Sequence, residues 1–430
     1  MSAADRDVRM RGFRQRTEVG AVIELIRARV HRLGWEKVPV RQAAGRLLAE
    51  ACVAPMPLPP FDRAAMDGFA VRGEETTGAS PYQPLEFVIV GESRPGRSFA
   101  GHVGPGQAVR IMTGAPMPLG ADTVVPAEYT EVAGPVVRVT EGFAPGRHVS
   151  CRGEDVAQGE VLLPSRRVLR PQDVAVLAAA GIAEVPVVVQ PRVRILITGD
   201  ELLPPGSVPH DAFIVDSNSV MLEALVRRDG GVPLTGAIVP DRPEAIRHAL
   251  LEDNADMLLV SGGSSVGPED HAPLVLAELG ELVVHGVAMR PSSPAGLGWL
   301  GHKPVFLLPG NPVSCLAAYD FFAGLALRRM AGLQEHWPYP CRKRILAQKI
   351  VSAIGRVDYV RVQVRPEGVV PLAVSGASLL STTTRADGFV VVPRDREGYA
   401  PGESVEVYHF DLFAVDSDQV SVYDKLTSAC

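Results

Sequence analysis

Residues 192–201 read R-V-R-I-L-I-T-G-D-E: an apolar run of strand length, Arg192 to Thr198, stops abruptly in Gly199, Asp200 and Glu201. The same device returns twice. Asp256 to Val260 (DMLLV) runs into Ser261, Gly262, Gly263, Ser264 and Ser265, with Asp270 just beyond, and Pro304 to Leu308 (PVFLL) empties into Pro309, Gly310, Asn311 and Pro312. Helical patterns fall between these strands, at Ser217 to Arg228, Arg242 to Leu251 and Asn311 to Met330. Such alternation predicts a three-layer α/β/α domain over 191–337, a parallel sheet covered by helices on both faces. In open sheets of this kind ligands sit at the carboxyl ends of the strands, where turns meet helix N-termini. Every glycine or acidic cluster just quoted lies at such an end, so topology alone points to a binding site there.

The chain of 430 residues is too long for one compact core, which predicts three or four domains. Charged residues make up 21%, near the globular average, so wholesale disorder is not expected. A net charge of -6 argues against general affinity for nucleic acid, which needs a basic surface to release counterions. The cysteines, Cys52, Cys151, Cys315, Cys341 and Cys430, are scattered without a Cys-x-x-Cys, which fits reduced thiols and a cytoplasmic location. The first residues have no apolar signal core, and no apolar span is long enough for a membrane; the nearest, Val174 to Val189, is broken by Gly181, Glu184 and Pro186 and reads as a short helix followed by a strand.

Outward from the α/β stretch, Val19, Val22, Ile23, Ile26 and Val30 recur at helical spacing, the stripe of a packing helix, and Gln42 to Glu50 is expected to form a second short helix. Four prolines, at 55, 57, 59 and 60, enforce an extended entrance to a new domain. From Phe87 to Glu141 short apolar strands punctuated by Gly and Pro predict a small β domain inserted over 55–144, between two segments, 17–54 and 145–190, of a linking domain. Strands at Arg344 to Lys349, Asp358 to Arg365, Phe389 to Pro393 and Ser404 to Tyr408 predict a C-terminal, barrel-like β domain over 338–412, and 413–430 reads as a flexible tail.

Glycine turns after buried strands can aim several backbone N–H groups at one anion, and a helix N-terminus adds roughly half a positive charge. Ser261 to Gly267 and Gly310 to Ser314 are such turns, although tight packing at a strand end accounts for either one by itself. There is no Walker A loop and no G-x-G-x-x-G after the first strand. Glu201, Asp241 and Asp270 each fall near a different strand end and are expected to converge on one cleft. Acids beside a polyphosphate repel it unless a cation intervenes, and magnesium is the expected bridge; taken alone, a helix N-cap explains Asp270 equally well. Arg290, after the strand around Val283 to Met289, can pair with a tetrahedral oxyanion through two N–H bonds. Arg361 and the hydroxyl run Ser378 to Thr384 are weaker candidates, and Asp67, in an Asp-Gly turn, reads alone as structural.

Six motifs then carry a resemblance: F-D-x-x-A-M-D-G-F-A at 61 to 70, T-G-A-x-x-P-x-G-A-D at 113 to 122, G-E-D at 153 to 155, T-G-D-E-L at 198 to 202, S-G-G-x-S-V-G at 261 to 267 with Asp270, and L-P-G-N-P-V-S at 308 to 314. In this order and spacing the chain, from about Thr17 to about Phe410, resembles the molybdopterin molybdenumtransferases, the MoeA family, which includes the E domains of gephyrin and its plant counterparts. The resemblance implies an elongated homodimer of four domains that binds adenylated molybdopterin, accepts molybdate onto the dithiolene sulfurs and releases AMP in a magnesium-assisted step. It implies that Asp67, Thr113 and Asp155 line the cleft from the other domains, that Glu201, Asp241 and Asp270 are the functional acids and metal ligands, and that Ser265 and Asp270 lie near the adenylate. Pro309 and Pro312 would shape the loop, and Arg290, Pro294, Ser314, Arg361 and Ser381 would surround the molybdate.

The chain departs from the family at Arg290-Pro291-Ser292-Ser293-Pro294, where Lys-Pro-Gly-Lys-Pro, or Arg for the first Lys, is usual. Arg290 keeps one cation while Ser293 omits a second, and losing one charge-assisted bond costs about 1.5–3 kcal/mol. Arg63 and Ala64 stand where Asn and Ser are usual, and Ala377 where Ser is usual; Arg63 is a candidate to restore the missing charge. The alternative to the transferase is a non-catalytic paralogue that keeps the pterin cleft and acts as carrier, maturation factor or scaffold for a molybdoenzyme, with that enzyme or other cofactor-biosynthesis proteins as partner.

Overall fold

The computed structural model describes residues 16–252, 254–263, 270–373 and 376–410. They form two compact units: one is Trp35–Val187, and the other joins the chain up to Gly34 with the chain from Val188 onward.

The second unit is built on the sheet that residues 192–201 announce. Its strands are β1 (Arg192–Ile197), β2 (Val232–Thr235), β3 (Met257–Ser261), β4 (Glu281–His285), β5 (Gly296–Leu300) and β6 (Lys303–Leu308), in the spatial order β2-β1-β3-β6-β5-β4. Helices α1 (Asn218–Arg228), α2 (Pro243–Leu251), α3 (Ala272–Leu279) and α4 (Pro312–Ala318) connect or follow them. Successive side chains on a strand point to opposite faces, and that period of two sorts the apolar runs into two cores. Val193, Ile195, Met257, Leu259, Phe306 and Leu308 pack on one face with Leu222 and Val226 of α1. Leu196, Leu258, Val260, Val305 and Leu307 pack on the other with Ile246 of α2 and Val275 of α3. Each such buried side chain contributes about 1.5–3 kcal/mol, which is why these strands are apolar on both faces.

The sheet is mixed rather than wholly parallel. β2, β1, β3 and β6 run parallel, but β5 pairs antiparallel with β6 and with β4. Only Gly301 and His302 join β5 to β6, with Gly301 at φ 60; two residues can close a hairpin but not a crossover. The helix expected from Asn311 to Met330 is helical throughout but widens to a π turn over Tyr319–Ala323 before continuing over Gly324–Met330. Asp320 in that wide turn is fully buried and holds Arg228 and the Tyr339 hydroxyl, with burial pushing its carboxyl up to about 6. The helix Val19–Arg29 buries Val19, Val22 and Ile26 in the same core.

Beyond it, Cys341–Ile345, Val357–Arg365, Gly388–Val392 and Ser404–His409 form a sheet that also takes in Met289–Arg290, which runs parallel to Val357 and Asp358. A further strand, Gly368–Ala373, pairs with Val357–Arg365 and was not expected. It contains Pro371, which cannot donate to a ladder and sits where the register slips.

In the unit Trp35–Val187, a six-stranded sheet runs in the order Thr123–Pro126, Gly68–Val71, Gln107–Ile111, Leu85–Ser93, Val136–Val139, Thr130–Ala133. The helix expected over Gln42 to Glu50 does not form. A single 3-10 turn, Val40–Gln42, ends before Gly45 at φ 79, and Leu47 and Leu48 bridge to Val168 and Val187 instead. Apolar side chains at adjacent positions serve two bridging partners better than they serve one helix face. Among the described residues no helix is long and apolar enough to cross a membrane.

Candidate functional site

The carboxyl ends of β1, β3 and β6 open onto a cavity of about 920 Å³. Six of the residues picked out in the sequence line it: Glu201, Asp241, Asp270, Pro294, Pro309 and Pro312. They arrive on five different turns. Glu201 follows β1, Asp241 precedes α2, Asp270 precedes α3, Pro294 precedes β5, and Pro309 and Pro312 bracket the turn from β6 into α4. Ser378 and Leu380 close the rim from the C-terminal β region.

The turns are tied to one another. The Asp200 N–H donates to Asp241 Oδ2 at 3.2 Å and the Asp241 N–H returns a bond to Asp200 Oδ1 at 3.2 Å. Burial pushes the Asp241 carboxyl up, and the nearby charges of Glu201 and Asp200 push the same way against the Asp200 backbone bond that favours its ionised form. Gly262, at φ 97, comes so close to the β1 end that an added Cβ would lie 2.2 Å from the Thr198 carbonyl oxygen. Only glycine permits both that φ and that approach.

Asp216 and Asn218, which no motif in the sequence singles out, also line the cavity and are 5% and 7% exposed. Asp216 Oδ1 accepts the N–H groups of Asn218 (2.9 Å) and Ser219 (3.1 Å), fixing the start of α1. Asn218 Nδ2 donates to Ser261 Oγ at 2.9 Å and to the Gly310 carbonyl at 2.7 Å, which joins the ends of β3 and β6. The signal was present as Asp216-Ser217-Asn218, a run of helix-starting residues.

Other expected residues lie outside the lining. Arg290 is in an ion pair with the buried Asp358, which also pairs with Arg356 at 3.0 Å and accepts Ser352 Oγ at 2.8 Å. Ser314, in the first turn of α4, is buried, and its carbonyl accepts the hydroxyl of buried Ser292 at 2.6 Å. Ser292 holds φ 94, a conformation that strains a residue with a side chain. Arg361 is 1% exposed in the C-terminal sheet, and burial lowers its guanidinium from the usual value. Ser381 is exposed at the start of the short helix Ser381–Arg385. Ser265 lies outside the described residues.

Asp67, Thr113 and Asp155 belong to the unit Trp35–Val187. The first two meet: Asp67 Oδ1 accepts both the N–H (2.6 Å) and the hydroxyl (2.8 Å) of Thr113, which holds its carboxyl below the usual range. Asp155 is exposed, with its N–H on the Leu58 carbonyl at 3.0 Å.

Three family descriptions match in succession: the MoeA N-terminal region (domain I and II) over 17–181, a probable molybdopterin binding domain over 194–329, and the MoeA C-terminal region (domain IV) over 343–410. The chain is 34% identical over 386 residues to molybdopterin molybdenumtransferase 2 of Mycobacterium tuberculosis, covering 86% of this chain and 94% of that one. It is 32% identical over 378 residues to the molybdopterin molybdenumtransferase of Staphylococcus aureus, covering 86% and 90%. Among solved structures it is similar to a molybdopterin biosynthesis MoeA protein from Pyrococcus horikoshii, with a TM-score of 0.72, 33% identity, and coverage of 92% of this chain and 100% of that one.

Proposed function

Because the chain belongs to the MoeA family of molybdopterin molybdenumtransferases, we propose that it inserts molybdate into adenylated molybdopterin with release of AMP, using the cavity at the ends of β1, β3 and β6. The observation that carries this reading is the gathering of Glu201, Asp241 and Asp270, from three separate turns, around one cavity that also receives the glycine turns after β3 and β6. Backbone N–H groups in such turns suit phosphate oxygens, and catalysis here is chiefly positioning and electrostatics. As molybdate takes the dithiolene sulfurs it gives up oxygen as water, and a water molecule attacks the phosphoanhydride, so that AMP leaves and the pterin keeps its own phosphate.

A magnesium ion is part of the proposal, and the donor set fits it. Carboxylates are hard oxygen donors, and the charges of Glu201 and Asp200 beside Asp241 are the repulsion a divalent cation relieves. Among the described residues no three Asp, Glu, His or Cys side chains form a ready-made metal cluster. Magnesium is suited to that situation because it ordinarily completes its shell with phosphate oxygens and water. Glu201, Asp241 and Asp270 would hold it, and when bound it supplies neutralising charge to the phosphate oxygens. Molybdate is substrate; Arg290, Pro294, Ser314, Arg361 and Ser381 are proposed to act on it. Asp67, Thr113, Asp155 and Ser265 are proposed as further residues the reaction needs. A cytoplasmic homodimer belongs to the same reading, the dimer to be checked by analytical ultracentrifugation.

The test is incubation of the purified full chain with adenylated molybdopterin, molybdate and magnesium, reading AMP and reconstitution of a molybdoenzyme apoprotein. AMP release together with active cofactor is the expected result, and neither product in a competent assay refutes the proposal. The engagement of Arg290 by Asp358 and the serine at 293 favour one second reading, a non-catalytic cofactor carrier. Tight pterin binding with no AMP would select it.

A further inference from the structure

A short parallel ladder fastens the turn after β1 to the stretch before α2. The Val239 N–H donates to the Ile197 carbonyl at 2.8 Å, and the Gly199 N–H donates to the Val239 carbonyl at 3.4 Å. One step further, the side chains of two aspartates take over from the backbone. The reciprocal bonds of Asp200 and Asp241, each 3.2 Å long, put a carboxylate oxygen where a facing carbonyl would continue the ladder. Glu201 and Asp241 line the cavity, and Asp200 lies outside that lining. Glu201 is folded back over its own turn, since a Cβ added to Gly199 would lie 2.8 Å from Glu201 Oε2. Its carboxylate therefore moves with the turn, and the closure between Asp200 and Asp241 decides how far it stands from Asp241.

We infer that Asp200 is a positioning residue for the proposed magnesium site, holding the Asp241 N–H so that the carboxylates of Asp241 and Glu201 serve one ion. The inference rests on the assignment of those acids to magnesium made above. Asp200 is exposed, and it acts through Asp241 rather than on the ion. Magnesium demands near-octahedral geometry and takes only one or two carboxylates beside phosphate oxygens and water, so it rewards a fixed spacing of its acids. Loss of a group that orients a metal ligand typically costs about tenfold to a hundredfold in metal affinity. The role asks residue 200 for an acceptor and not for a charge. Asparagine offers the same oxygen to the Asp241 N–H, and alanine offers none.

Manganese(II) shares magnesium's preference for oxygen donors, and electron paramagnetic resonance reads its free ion directly. The full chain, Asp200→Ala and Asp200→Asn are titrated with it in the presence of adenylated molybdopterin and without molybdate. AMP affinity is measured calorimetrically on the same three proteins without metal. Asp200→Ala is expected to bind manganese about tenfold or more less tightly than wild type, and Asp200→Asn to stay within about threefold of it. Metal-free AMP affinity is expected to stay within about threefold of wild type in both variants. Unchanged manganese affinity in Asp200→Ala overturns the inference. Equal losses in both variants overturn it too, and make Asp200 a charge that the ion itself feels. A fall in metal-free AMP affinity as large as the fall for manganese shows a collapsed turn rather than a mis-set pair of acids, and overturns it as well. Wild-type chain that binds no manganese under these conditions refutes the magnesium assignment itself, and the inference with it. Should Asp200→Ala not fold, Asp200→Glu decides, because it keeps the charge and carries the acceptor one methylene too far. Manganese binding about tenfold weaker than wild type is then expected, and wild-type affinity overturns the inference.

Discussion

Gly262→Ala is the perturbation that most directly tests the packing of the strand ends. Gly262 sits at φ 97, and its new Cβ would meet the Thr198 carbonyl oxygen at 2.2 Å, Thr198 Oγ1 at 2.9 Å and the Thr198 carbonyl carbon at 3.1 Å. The left-handed backbone costs a residue with a side chain about 1–2 kcal/mol. Relieving contact with backbone atoms costs about 1–3 kcal/mol more, because β1 is locked between β2 and β3 and cannot retreat freely. The total of roughly 2–5 kcal/mol corresponds to a fall of roughly 4–20 °C in thermal midpoint for a body of this size. Two neighbouring glycines are the controls. Gly263, at φ 55, would meet the rotatable Thr198 Oγ1 at 2.9 Å, so Gly263→Ala should cost about 1–2 kcal/mol. Gly310, outside the left-handed region, has its nearest atom, Gly262 Cα, at 3.6 Å, and Gly310→Ala should stay within about 1 kcal/mol of wild type. Differential scanning calorimetry of the three variants gives the order. A Gly262→Ala protein that melts with wild type, or a Gly310→Ala protein that melts below it, refutes the reasoning.

Asp173 is buried, and its carboxyl is held well below the usual range by hydrogen bonds from Arg170 and Arg167. A depressed acid stabilises the fold above its unfolded value of about 4 and loses that contribution as pH falls through the folded value. Asp173→Asn should therefore cost about 2–4 kcal/mol at pH 7, and its deficit in denaturant titrations should shrink progressively below pH ~4; a pH-independent deficit would contradict the ion-pair account. Glu201→Gln should lower the rate of AMP release by about a hundredfold and raise the magnesium needed for half-maximal rate, and an unaltered magnesium profile would remove Glu201 from the ligand set. Arg290→Ala should raise the molybdate concentration for half-maximal turnover about tenfold to a hundredfold, one charge-assisted bond, while leaving AMP affinity as in wild type; an unchanged molybdate response would assign Arg290 to Asp358 alone.

Much of the second unit could be read in advance because one physical cause wrote it locally. Strands buried on both faces are apolar throughout, and the turns at their ends carry glycine and acid, so residues 192–201, 256–263 and 304–312 declared the strands, their direction and the cavity at their ends. The antiparallel edge was harder to see, since β5, G-L-G-W-L, carries two glycines where β-branched residues would announce a strand. Glycine there has a packing cause: a Cβ on Gly298 would lie 2.3 Å from the Glu281 carbonyl oxygen. Gln42 to Glu50 misled because its bridging partners, Val168 and Val187, lie far along the chain. Asn218 escaped notice for a related reason. An asparagine at the start of a helix is common, and only the positions of Ser261 and Gly310, brought in by two other strands, show that its amide braces the ends of β3 and β6.

The chain crosses from one sheet to another between Arg290 and Gly296. Arg290 is laddered to Asp358 of the C-terminal sheet, while Gly296 opens β5 of the central one, and only five residues separate them. Pro294, on the cavity rim, lies within that span, and Ser292 fastens its midpoint to α4. So short a tether, nailed at both ends and in the middle, leaves no slack for the C-terminal sheet to swing on its own. Tyr359 and Phe389 of that sheet also share the core of the central one, so the place of Pro294 at the cavity is set by both sheets at once.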